Sequence, residues 1–141
     1  MFSPFGFMGT QVASSTYLLD TYGGAEVAYS LRKLSSSSTY AVTVRRDNDN
    51  ATQDIGFVGE AFDTASLTSF VGANTGYITK WYDQSGNVND ATQSDTTLQP
   101  FIVSSGSIEV QDGIVAINFA TIDNAGLTLS SLSSLSISPR C

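Results

Sequence analysis

Two pairs of carboxylates stand at spacings that could do acid–base work: Asp83 with Asp90, at either end of the polar part of WYDQSGNVND (residues 81–90), and Glu60 with Asp63. Paired carboxylates are the machinery of glycoside hydrolysis. A retaining enzyme needs a nucleophile and a carboxylic acid about 5 Å apart. Each of these four acids, however, lies in a loop or cap where a carboxylate already has a structural task. Nothing nearby predicts the burial that would raise a general acid's pKa. No catalytic residue is therefore assigned.

Other chemistries are excluded by composition. The chain has no histidine and one cysteine, Cys141, at its last position. Ser-His-Asp and Cys-His arrangements, cysteine metal sites and an intrachain disulfide all fall away together. No phosphate-binding or dinucleotide fingerprint is present, so no cofactor is expected. DNDNATQDIGFV starts like a calcium loop, but Ala51, Thr52 and Val58 stand where a ligand, the turn glycine and the closing glutamate belong. That leaves only an incidental calcium site on Asp47, Asp49 or Asp83. Asn50-Ala51-Thr52 satisfies the glycosylation sequon, which matters only in a eukaryotic secretory route.

Sugar binding asks for exposed aromatic faces with amide and carboxylate groups beside them. Trp81, Tyr82 and Tyr77 are candidates, next to Asp83, Gln84 and Asn87. The competing reading makes the aromatics core and the polar run a tight turn. Asp83 and Ser85 would bond nearby backbone N–H groups, Gly86 would take positive φ, and Asn87 would tolerate the left-handed region. Trp81 and Tyr82 would then point to opposite faces of the strand that leads into the turn.

The 141 residues fit one domain, and only 13% of them are charged. The net charge of −7 repels phosphate backbones and anionic membranes, so nucleic acid is not an expected partner. Four of the six basic residues (Arg32, Lys33, Arg45, Arg46) precede Asp47, leaving eleven acids against Lys80 between Asp47 and Pro139. A cationic edge on an acidic body could steer an acidic partner; a merely solvated surface is the plainer reading. No apolar run approaches the roughly 18 residues of a membrane span. The start, MFSPFGFMGT, lacks a positive n-region and is broken by Pro4, Gly6 and Gly9, so no signal peptide is recognised. Residues 1–18 read as an apolar arm in which Phe2, Phe5 and Phe7 could anchor the chain on a neighbouring subunit, with a frayed terminus as the alternative.

The elements that must position these residues follow from periodicity. Val27, Ala28, Leu31 and Leu34 predict a short helix after Gly24. TYAVTVRR alternates as a half-buried strand, with Ala41, Thr43 and Arg45 on one side and Tyr40, Val42 and Val44 on the other. DIGFVG and GYITKWY are further strands. DTASLTSFVG predicts a helical turn capped by Asp63, with Leu67, Phe70 and Val71 inward and Gly72 as the stop. Short strands follow around Ala91–Gln93, Pro100–Val103, Ser107–Val110 and Ile114–Phe119, with a turn at Asp112-Gly113. Leu127, Leu129, Leu132, Leu135 and Ile137 punctuate a serine-rich tail read as ordered. This is a mainly β sandwich or barrel with one or two short helices.

Taken in order, GAEVAYSLRKLSSS, VTVRRDNDNATQDIGFVG and ITKWYDQSGN with YDQSGNVNDATQ resemble the N-terminal part of the arabinofuranosidase B catalytic-domain family over roughly Leu19–Phe119. A looser likeness extends to laminin-G and concanavalin A-like modules and to domains of bacteriophage structural proteins. The resemblance implies a concanavalin A-like jelly-roll β-sandwich, here over residues 19–141. It also implies that the family's catalytic carboxylates lie downstream of the motif, so none is carried over, and that several strands are still owed at the C-terminal end. Other copies or a larger assembly would then cover the open sheet. The expectation is a non-catalytic structural or adhesive module, a phage virion component located in the virion or outside the cell, with virion or self subunits and a cell-surface glycan as partners. The alternatives are an arabinofuranosidase-like hydrolase, or a fragment of one, and a carbohydrate-binding module.

Overall fold

The computed structural model describes residues 16–119 and 127–129. Phe2, Phe5 and Phe7, the tail from residue 130 onward and Cys141 lie outside the described residues. In chain order the elements are α1 (Leu18–Thr21), β1 (Tyr40–Arg46), β2 (Thr52–Val58), β3 (Ala61–Phe62), α2 (Thr64–Val71), β4 (Gly76–Trp81), β5 (Ala91–Thr92), β6 (Phe101–Ser104), β7 (Ser107–Ile108), β8 (Val110–Gln111), β9 (Ile114–Val115) and β10 (Thr128–Leu129).

β1 lies centrally in an antiparallel sheet ordered β10-β5-β4-β1-β2-β3. The outer edge of β4 is shared between two partners. Its end at Lys80 and Trp81 pairs with β5, and its start at Gly76 and Tyr77 pairs with β6, which continues to β7. The register shifts on both edges of β1, between Tyr40 and Val42 and between Thr43 and Val44, and again at Gly76/Tyr77 in β4. Such bulges bend a strand and increase its twist. The sheet therefore curls, and strict alternation fails: Ala41 and Val42 are both buried, as are Val44 and Arg45. The expected two-sided split of this strand is corrected accordingly. The result is a mainly β fold with short helices, in keeping with part of a jelly-roll sandwich.

Into the curl pack Val42, Val44, Ile55, Ile78, Ile102 and Val103, closed from above by Leu67 and Val71 of α2. That helix begins as its sequence requires. Asp63 accepts from the Ser66 backbone N–H at 3.0 Å and from its hydroxyl at 2.6 Å, and Gly72 ends the helix at φ +60°. Phe70 is only partly buried and lies under the Arg46 guanidinium, 4.9 Å from ring centre to charge. Asp112 and Gly113, at φ +53° and +80°, close the two-residue β8–β9 hairpin. Both angles are positive, as a type I′ turn demands.

Arg45 is the most deeply placed charge described. It donates from Nε to Gln99 Oε1 at 2.8 Å and from Nη1 to Asn50 Oδ1 at 2.7 Å, and it lies 4.8 Å from the Tyr77 ring centre. Neutral dipoles and a ring face, rather than a carboxylate, hold this cation.

One expected element is replaced outright. Residues 24–34, read as a helix from Val27, Leu31 and Leu34, form an irregular segment. The short helix lies just upstream, at α1.

Gly56 sets how closely β2 approaches the start of β1. A Cβ there would meet the Thr39 carbonyl oxygen at 2.5 Å, and a backbone atom cannot swing aside. Gly56→Ala is expected to lower stability by about 1–3 kcal/mol, as overpacking does. A thermal melt checks this, and an unchanged midpoint would show that the strands can separate without cost.

Candidate functional site

The motif after β4 is built around two side chains that reach backward in the chain. Gln84, 4% exposed, accepts from the Leu34 N–H through Oε1 at 2.7 Å and donates from Nε2 to the Ser30 and Arg32 carbonyls at 3.0 and 2.9 Å. Its own backbone N–H donates to the Ala28 carbonyl at 2.8 Å. Asp83 accepts from the Ala28 N–H at 2.8 Å, and from the Ser85 N–H, the Ser85 hydroxyl and the Asn89 N–H at 2.9, 2.7 and 3.0 Å. Asn87 donates through Nδ2 to the Ala25 and Glu26 carbonyls at 2.9 and 3.0 Å, and Asn89 to Glu26 at 3.1 Å. The Tyr29 hydroxyl donates to the Asn89 carbonyl.

These bonds explain why residues 24–34 do not coil. A helix would satisfy its own amides, but here side chains some 50 to 60 positions away satisfy them instead. The turn chemistry expected of Asp83, Ser85 and Gly86 is present, with Gly86 at φ +95°. The left-handed residue is Val88, at φ +59°, rather than Asn87.

Electrostatics follow from this wiring. Burial alone would push the Asp83 carboxyl up, yet the donors from Ser85, Asn89 and Ala28 together outweigh it and hold the group below the ordinary aspartate range. Burial, helped by the nearby Asp83 and Asp90 charges, pushes the Tyr29 phenol up to about 12. Burial likewise raises Tyr82, whose hydroxyl donates to Asp54 Oδ1 at 3.1 Å.

Each carboxylate proposed for acid–base work has another partner. Asp90 accepts from the Asp83 N–H at 2.9 Å and faces Lys80 at 3.9 Å. Glu60 pairs with Arg32 at 2.7 Å, and Asp63 caps α2. The calcium candidates are likewise engaged separately. Asp47 accepts from the Thr75 N–H, Asp49 forks onto Arg46 and is lowered to about 2 chiefly by that bond, and Asp83 clamps the motif. Among the described residues no group of three or more His, Cys, Asp or Glu side chains is arranged to hold a metal ion.

The aromatic candidates divide by face. Trp81 packs against the core and against Tyr29, 5.8 Å between ring centres, with its buried Nε1 meeting no hydrogen-bond partner among the described residues. Tyr77 packs edge-on to Phe101 at 6.4 Å. Tyr82 turns to the other side, 5.8 Å from Tyr40 and beneath Lys80 at 4.9 Å. Tyr40 escaped sequence reasoning because it sits at the start of a strand, far from the motif. Its membership of the alternating set in TYAVTVRR was the only available signal.

Residues 23–121 match the family described as alpha-L-arabinofuranosidase B, catalytic, which is more than half of the 141-residue chain. The chain belongs to this family. Solved structures of GH54 α-L-arabinofuranosidase agree in sequence: one of a mutant soaked with 4-nitrophenyl α-L-arabinofuranoside, and one soaked with a cyclic sulfate inhibitor. Each is 35% identical, with a TM-score of 0.44 over 48% of this chain and 15% of that one. An arabinofuranosidase complexed with arabinofuranosyl-α-1,2-xylobiose matches at 35% identity and a TM-score of 0.43 over the same shares. No curated protein matches. The chain thus spans 15% of the length of these solved relatives. The family match backs the arabinofuranosidase-like alternative over the phage virion module, to which it lends no support. No helix among the described residues is long and apolar enough to cross a membrane.

Removing the Gln84 amide would strand two carbonyls and one N–H in a buried place, each costing about 1–3 kcal/mol. Gln84→Ala is expected to lower the unfolding free energy by several such increments, read from chemical denaturation. A loss no larger than that of an exposed substitution would dissolve the clamp.

Asp63, Asp83 and Asp95 all titrate below their ordinary range. As pH falls through about 3.9 the unfolded chain takes up protons before the native one, so the stability they supply is full above that value and lost below it. Melting temperature should hold level from about pH 7 to about pH 5 and drop below about pH 4. Asp83→Asn, less stable at neutral pH, should drop less, and parallel profiles would remove Asp83 from the account.

Proposed function

We propose that this chain provides scaffold for an α-L-arabinofuranosidase-like domain: an N-terminal sheet, locked by the 83–89 clamp, against which the sugar-cleaving part of such a domain is organised. The observation that carries this is the coincidence of the family match at residues 23–121 with a motif whose carboxylates are all engaged in structural bonds. Hydrolysis of an arabinofuranoside needs one carboxyl kept protonated by its surroundings and a second beside it to attack. Asp20, Asp49, Asp63, Asp83 and Asp95 are all held the opposite way, toward the ionised form. Asp83 and Asp90 each hold backbone amides at the edge of an open groove. The domain's chemistry on this reading belongs to residues other than the described ones.

Incubating the full chain with 4-nitrophenyl α-L-arabinofuranoside tests the assignment. Release of nitrophenol is expected to match the buffer blank. Turnover abolished by changing one of Asp83, Asp90, Glu60 or Asp63 to its amide, with the melt preserved, would make the chain an enzyme in its own right.

A further inference from the structure

Beside β3, the end strand of the sheet, runs an apolar groove of about 500 Å³ lined by Leu31 and Phe62 and, from the β8–β9 hairpin, by Ile114 and Val115. We propose that the chain's own N-terminal segment, residues 1–15, docks in this groove through its phenylalanines. The inference concerns a surface that the scaffold role does not use.

The groove itself asks for an occupant of a particular kind. Ile114, directly after the tight turn at Asp112-Gly113, is 72% exposed, and Leu31, Phe62 and Val115 are only partly buried. A lone exposed isoleucine is ordinary, but four apolar side chains lining one concavity mark a contact site. The hairpin that walls it is anchored at its base. The Glu109 N–H donates to the Ile102 carbonyl and the Asn118 N–H to the Phe101 carbonyl, each at 2.8 Å. A groove formed in advance loses little conformational freedom when it is filled. At its rim Arg32 and Glu60 are paired with each other at 2.7 Å. With these charges already matched, the groove suits an uncharged, apolar ligand.

Residues 1–15 have that chemistry. They include Phe2, Phe5, Phe7, Met8 and Val12 and not one charged side chain. Their point of attachment is close by. The described chain begins at Thr16, and Thr16 and Tyr17 line an adjoining groove that shares Arg32 and Glu60 with the apolar one. An extended chain covers about 3.3 Å per residue, so Phe7, nine positions before Thr16, can stand roughly 30 Å from it. That reach far exceeds the width of a groove of this volume. A short tether also holds the segment at a millimolar local concentration, so weak contacts suffice.

The rival occupants are worse placed. The tail beyond residue 129 starts from β10, at the opposite end of the sheet from β3. A second copy would bring another net charge of −7 against the first.

Photo-cross-linking of the full chain tests the docking. With p-benzoylphenylalanine in place of Phe5 or Phe7, an equimolar mixture of isotopically light and heavy chains is irradiated, and the joined peptides are read by mass spectrometry. Cross-links to residues 60–64 or 113–115 are expected, joining light only to light and heavy only to heavy. Ile114→Asp, with a thermal melt to show that it is folded, should lower their yield about fivefold or more by placing a charge in the apolar wall. Val88→Asp, exposed in a different groove, should leave the yield as it was. Light–heavy hybrids would seat the segment on a neighbouring copy, and cross-links elsewhere, or none, would leave the groove without it. Either result overturns the proposal, as does a yield indifferent to Ile114→Asp. No glycoside enters the experiment, so these outcomes stand apart from those that bear on the scaffold role.

Discussion

A single buried amide organises this molecule. Gln84 bonds one N–H and two carbonyls of an irregular segment that has no secondary structure of its own, and Asp83 adds an acceptor for a second N–H of that segment. Buried backbone left without partners is expensive, so the route of residues 24–34 is possible only where such side chains wait for it. The dependence is mutual. The same segment gives the motif carbonyls at Ala25, Glu26 and Ala28 on which Asn87, Ser85 and Gln84 settle. Neither piece would hold its shape alone.

The clamp then decides what the sheet can display. With Trp81 turned to the core and Tyr82 to the opposite face, the end of β4 separates a packing role from a solvent-facing one within two residues. Polar groups that in isolation look ready for catalysis or sugar recognition are consumed in holding the loop. Asp83, Gln84 and Asn87 are spent this way. Tyr40 and Tyr82 are left as the open aromatic surface, framed by carboxylates that already have a fixed orientation.

Membership of the arabinofuranosidase B catalytic-domain family places this architecture within a sugar-cleaving lineage, over a stretch that corresponds to a small share of the solved relatives. A sheet rigidified by its own polar network is what the proposed scaffold role asks for. Asp63 and Asp83 are tuned toward charge and hydrogen bonding, whereas a glycosidase's acid must be kept neutral until it is used.

The sequence alone determined what local rules control. The strands around Tyr40–Arg46, Thr52–Val58 and Gly76–Trp81 follow from β-branched and aromatic patterning, α2 from an aspartate cap and a glycine stop, and the β8–β9 hairpin from Asp-Gly turn preference. The turn chemistry of residues 83–86 was legible for the same reason. Only the tertiary structure decided the rest. The apolar spacing of Val27, Leu31 and Leu34 is truly helical, but the partners that override it lie fifty or more residues downstream, and no local window contains them. The bulges in β1, which put neighbours Ala41 and Val42 on the buried side together, arise from register against two other strands. The pairing of Tyr40 with Tyr82 depends on both, because a shared face exists only once strands far apart in sequence have been laid side by side.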